Sequence, residues 1–131
     1  MKRTLLLLVL LVTSQFSYAI TKSEQECITK VVYHEARSLK EKDWLKVANV
    51  TYNRSKHFKE YHFGAKSKHL CDIVKSKQYT SKRKLKDKIK EKKRYEEIKK
   101  SLLTKNWKTK TNALYFTTRN GRMIYSKEWR G

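Results

Sequence analysis

The chain has 131 residues, with 33 Lys+Arg against 12 Asp+Glu and a formal net charge of +21. That length holds one domain, and the absence of Pro with only three Gly excludes collagen-like, loop-rich and turn-dense all-β chains. Charge of this size repels itself and calls for an anionic partner: nucleic acid, membrane lipid or a bacterial wall polymer.

The N-terminus narrows that choice. Lys2 and Arg3 precede eight consecutive apolar residues, Leu5 to Val12, and Ser17-Tyr18-Ala19 sets small residues before a cleavage point. This is the layout of a secretory signal peptide over 1–19, too short for an ordinary membrane span, with 20–131 as the mature domain. Retention as an uncleaved anchor is the alternative. An exported protein meets little DNA, so wall polymers and lipid head groups displace nucleic acid as the expected partners. In that oxidising setting Cys27 and Cys71 have one intramolecular pairing, and two buried thiols are the alternative. Closing a loop of that size contributes roughly 4 kcal/mol in the chain-entropy account.

From Ser23, an N-cap with Glu26 three residues on, the pattern predicts a helix. Ile28, Val31, Val32 and Leu39 share one face at the i, i+3, i+4 spacing, and Glu35 falls in the middle of that stripe. A carboxylate is the wrong residue there on packing grounds. If such a group meets Arg37 or Lys30 it is a structural pair; a carboxyl buried without a partner stays protonated near neutrality, as a general acid must. A second helix is predicted from an Asp43 cap through Trp44 to about Arg54, with Trp44, Val47, Ala48 and Thr51 on its buried face. The polar stretch Ser55–Lys68 reads as a loop, and a short helical segment is predicted from Leu70 to Lys75.

Residues 82–100 carry eleven Lys/Arg, most simply a solvated basic face, and the 82–94 part is the candidate contact for anionic wall polymers or a membrane surface. Leu85 and Ile89 form one short stripe, and Tyr95, Ile98 and Leu102 a second one rotated from it, which predicts a break near Lys92–Arg94. Ala113–Thr118 is strand-like, Asn120-Gly121 is a hairpin turn signal, and Met123–Tyr125 returns as the partner. The predicted class is α+β, mainly α-helical, with a small C-terminal β-hairpin.

Several chemistries drop out. His34-Glu35 opens like a zinc-protease motif, but Ser38 stands where the second His must be. The His and Cys positions lack structural-zinc spacing, and neither a phosphate-binding glycine loop nor a Gly-x-Ser-x-Gly elbow is present. No metal and no cofactor is expected.

Four segments in order carry a resemblance. Cys27-Ile-Thr-Lys-Val-Val-Tyr33-His34-Glu35-Ala36-Arg37 resembles the opening helix of the cell-wall hydrolases of the spore cortex-lytic enzyme family. Val47-Ala48 with Asn53-Arg54 is similar to that family's second motif, Cys71-Asp72-Ile73-Val74 with Gln78-Tyr79-Thr80 to its third, and Ala113-Leu114-Tyr115-Phe116 to its late strand. The resemblance implies a lysozyme-like fold that cleaves peptidoglycan glycan strands, with Glu35 catalytic; a monomer is expected. Members resemble lytic transglycosylases, in which one carboxyl serves as acid and then base. A hydrolytic muramidase needs a second acid roughly 5–9.5 Å away, for which Asp72 and Asp43 are the candidates. The remaining alternative is a non-catalytic cationic wall- or membrane-binding protein on the same scaffold.

Supporting roles follow from the matched positions. Arg37 is expected to orient Glu35 or meet an acidic substrate group, with a plain surface arginine as the competing reading. Asn53 is expected to bond loop backbone, with a sugar hydroxyl as the functional alternative. Gln78 and Tyr79 suit an amide and a ring against a saccharide, and Tyr115 stands between core and cleft. The chain departs from the family in Ser38, where Gly usually follows Glu-Ala-Arg, and in the short Thr117–Asn120 link before Gly121.

Overall fold

Two overlapping capping boxes, Thr21/Glu24 and Ser23/Glu26, compete to start the first helix, and the chain uses the earlier one. The structure is a computed structural model that describes residues 20–61, 63–76 and 89–128. The signal-peptide reading of 1–19, Gln78, Tyr79 and the basic residues 82–88 lie outside the described residues. Helix α1 spans Lys22–Ala36, capped by the Thr21 hydroxyl, which accepts from the Glu24 N–H at 3.2 Å. Glu24 Oε1 accepts in return from the Thr21 N–H at 3.2 Å. The expected Ser23 cap is therefore corrected by one half-turn. The physical reason is tertiary: Glu24 Oε2 also accepts from the Leu70 N–H at 3.1 Å, a bond the later frame does not make.

Helix α2 spans Glu41–Lys56 and is capped three residues before the expected Asp43, at Lys40, which makes no side-chain cap bond. Asp43 is used elsewhere: its Oδ1 accepts from the Tyr125 hydroxyl at 2.7 Å. From Trp44 to Ser55 nearly every residue of α2 is buried, which makes it the central helix. The stretch expected as loop holds a one-turn helix, α3 at Phe58–Tyr61, and α4 follows at Leu70–Val74. Cys27 of α1 and Cys71 of α4 are disulfide-bonded, with Cα atoms 5.3 Å apart.

Helix α5 runs Lys92–Thr104 and so begins where the two short stripes part. Ile98 and Leu102 are buried on its inner side, and the Trp107 indole N–H closes its end by donating to Leu102 O at 2.9 Å. Strands β1, Tyr115–Arg119, and β2, Arg122–Ser126, pair antiparallel with Phe116 opposite Tyr125 and Thr118 opposite Met123. Asn120 at φ 53° and Gly121 at φ 72° form the link, the two left-handed residues that a type I′ turn requires.

The class is thus α+β and mainly helical. Ile28, Val31 and Val32 of α1, Val47 and Ala48 of α2, Leu70 and Ile73 of α4 and Ile98 of α5 form one core, each wholly buried. Each buried Val, Ile or Leu of this kind contributes about 1.5–3 kcal/mol. The hairpin lies against this core through Phe116, Met123 and Tyr125, which share one face of the pair.

Candidate active site

Glu35 stands in the last turn of α1, half-buried, at the end of the stripe formed by Ile28, Val31 and Val32. At about 100° per residue, Glu24 lies on that same stripe three turns earlier. The two acids have different fates. Glu24 is 1% exposed and bonded to the N–H groups of Thr21 and Leu70, a structural carboxylate joining α1 to α4. Glu35 occupies the end where the stripe leaves the core. Sequence reasoning singled out Glu35 and missed Glu24, although the same phase argument marks both.

The backbone under Glu35 is fixed. The buried Trp44 indole N–H donates to Ala36 O at 2.8 Å, filling one of the carbonyls that a helix end leaves bare. Arg37 N–H donates to Tyr33 O at 3.2 Å, and Leu39 N–H to Ala36 O at 2.9 Å. The Ser38 departure therefore sits in a turn whose neighbours on both sides are held.

Arg37 turns away from the carboxylate it was expected to orient. Two residues on, it stands about 160° around the helix from Glu35. Its Nε donates to Glu91 Oε2 at 2.9 Å, and its guanidinium lies 5.0 Å from the Tyr33 ring centroid. The Glu91 N–H donates to the Tyr33 hydroxyl at 3.1 Å, closing a clasp between the end of α1 and the start of α5. The role of Arg37 here is to dock α5.

Asn53 is also drawn into the framework. It is buried, and its Nδ2 donates to Thr111 O at 2.9 Å and Ala113 O at 3.0 Å, which is the loop-backbone reading and not the sugar one. One turn earlier, Asn49 Nδ2 donates to Lys108 O at 2.9 Å while its Oδ1 accepts from the Thr111 N–H at 2.7 Å. Arg54 Nε donates to Leu114 O at 2.6 Å. Three polar residues of α2 thus pin 108–114 and launch β1. Asn49 and Arg54 were not singled out; Asn49 shares a sequence face with Lys42, Lys46 and Lys56 and so reads as solvent-facing, and the acceptors of both lie about 60 residues on.

Tyr115 belongs to the aromatic surround of Arg54, with Phe63 at 6.0 Å between ring centroids and the guanidinium at 5.4 Å. That cluster sits at the C-terminal end of α2, ten residues and about 15 Å along the helix from Trp44, which marks the end beside Glu35. The two candidate second acids are engaged as well. Asp43 accepts from Tyr125, and Asp72 Oδ2 accepts from the Ser67 hydroxyl at 2.5 Å. Asp72 follows Cys71, which the bridge ties to Cys27, eight residues and about 12 Å down α1 from Glu35. Among the described residues Glu35 is therefore not joined by Arg37 or Asn53, and no three His, Cys, Asp or Glu gather as a metal site.

Comparison with protein-family models, with curated proteins and with solved structures gave no match.

Proposed function

We propose that this is an exported, lysozyme-like enzyme that cuts the glycan strand of peptidoglycan as a lytic transglycosylase, with Glu35 as its one catalytic carboxyl. The observation that carries the reading is the position of Glu35: an acid on the buried stripe of α1, at the end where the stripe meets solvent, above a backbone fixed by Trp44. The ordered resemblance from Cys27 to Phe116 supplies the reaction. In it, the Glu35 carboxyl gives its proton to the glycosidic oxygen as the bond to C1 of the muramic sugar breaks. The resulting carboxylate takes the proton of that sugar's 6-hydroxyl, whose oxygen closes on C1 to leave a 1,6-anhydro end. No water enters, so no second acid is needed. The engagement of Asp43 by Tyr125 and of Asp72 by Ser67 favours this one-carboxyl route over a hydrolytic muramidase.

The test is mass spectrometry of purified peptidoglycan incubated with the protein and with Glu35→Gln. Anhydro-muramic ends that vanish in the variant are expected, with unchanged far-UV circular dichroism. Reducing ends would make the enzyme a hydrolase, and full activity in the variant would remove Glu35 from the chemistry. A second reading, a cationic wall-binding protein on this scaffold, draws on the +21 charge and on the pairing of Arg37 with Glu91 instead of Glu35. Sedimentation with peptidoglycan and no released fragment from either protein would put it first.

A further inference from the structure

Four lysines from three stretches of chain gather around Tyr52 at the C-terminal end of α2. Lys56 and Lys108 place their ammonium nitrogens 4.9 and 5.4 Å from the Tyr52 ring centroid. Lys59 and Lys68 join Tyr52, Ser55, Lys56 and Phe58 around a pocket of about 300 Å³.

The convergence is built by the fold. Buried Ser55 donates its hydroxyl to Lys68 O at 2.6 Å, and Asn49 donates to Lys108 O at 2.9 Å, so two of the four stations are fixed through their backbones. The Tyr52 ring is itself held edge-on against Trp107, with centroids 5.9 Å apart. Among the described residues no acid lines the pocket, and Glu60 of α3 lies 3.8 Å from His57 instead. Among the described residues the ion pairs include none of Lys56, Lys59 and Lys68. Gathering ammonium groups costs electrostatic energy that a bound anion relieves.

We propose that Lys56, Lys59, Lys68 and Lys108 around Tyr52 form a cradle for the phosphodiester groups of a polyol-phosphate chain. The ammonium groups take the phosphates, and the half-buried Phe58 gives the carbon links an apolar wall. A nucleobase fits less well, because Lys56 and Lys108 stand over the ring on which it would stack. The pocket suits one small repeating unit. This partner is separate from the glycan strand and from Glu35, and its test reads binding alone, so it does not stand or fall with cleavage.

The experiment is titration calorimetry of the full chain with a glycerol-phosphate oligomer at low ionic strength. Two charge-matched triple variants are compared: Lys56→Gln, Lys59→Gln and Lys68→Gln in the cradle, and Lys99→Gln, Lys100→Gln and Lys105→Gln on and just after α5. All six side chains are exposed, so both variants keep the fold. The cradle variant is expected to lose about a hundredfold in affinity, and the α5 variant no more than about threefold. Equal losses would reduce the effect to bulk charge and overturn the cradle, as would no binding by the unaltered chain. Cradle-dependent binding that is tighter to phosphatidylglycerol vesicles or to a single-stranded oligonucleotide would overturn the polyol-phosphate assignment.

Discussion

Tyr125 joins the last strand to the first turn of α2 through one hydrogen bond to Asp43. Burial, then the hydrogen bond to Asp43 and its charge, push the Tyr125 phenol well above the ordinary tyrosine range. The unfolded phenol loses its proton near pH 10, before the folded one does. Stability from this contact is therefore complete below about pH 10 and declines as pH rises further, since the unfolded state binds fewer protons. Urea unfolding followed upward from about pH 9 should show this decline, and Tyr125→Phe should flatten it. An equal slope in both proteins would assign the alkaline loss elsewhere. At this scale the sequence announced Glu35 by its phase on an apolar stripe. It did not announce the bond that Asp43 accepts from Tyr125, 82 residues on, nor which loop carbonyls, 58 and 60 residues on, Asn53 reaches. Local pattern carries burial, and distant partners decide what a polar group does.

Helix α4 has five residues, too few to persist alone, so its place depends on what ties it down. Two ties meet there: the Cys27–Cys71 bridge and the Glu24 carboxylate on the Leu70 N–H. Replacing both cysteines by Ser should lower the unfolding free energy by about 4 kcal/mol if loop entropy dominates. Urea midpoints give the loss, and amide exchange should report its first opening in 70–74; a change below about 1 kcal/mol would show that the unfolded chain is already compact there. The element scale is also where sequence reading did best. The Ile28–Val32 stripe, the Tyr95–Leu102 stripe and the Asn120-Gly121 turn stand where periodicity and turn chemistry put them, whereas Leu39, expected on the α1 face, lies past the helix end at Ala36. Helix starts were less legible, because Thr21/Glu24 and Ser23/Glu26 are equivalent boxes until Leu70 is brought to one of them.

Across the whole molecule, repulsion outweighs pairing. The ion pairs among the described residues are solvent-exposed, each worth about 0–1 kcal/mol, against a net charge of +21. Salt screens charges beyond about 10 Å at 0.1 M. Added sodium chloride should therefore raise the melting temperature by about 2–8 °C, corresponding to roughly 1 kcal/mol, while weakening polyanion binding. A melting temperature that falls with salt would mean that local pairs dominate. The predicted class, α+β with helices in the majority, was legible at this scale because helical periodicity fills most of the described residues. The pinning of 108–114 by α2 was not, since it joins segments far apart in sequence.

The bridge has a topological consequence. Joining residues 44 apart, it closes a covalent ring that contains the last turns of α1, all of α2 and α3, and the start of α4. Lys66 and Lys68 lie exposed inside that ring. A protease that cuts after either one opens the ring but leaves a single covalent molecule, with Glu35 and Asn53 still attached to everything they organise. The hairpin lies outside the ring, so a cut after Lys105 severs it from the rest of the chain, and only noncovalent contacts then keep it in place.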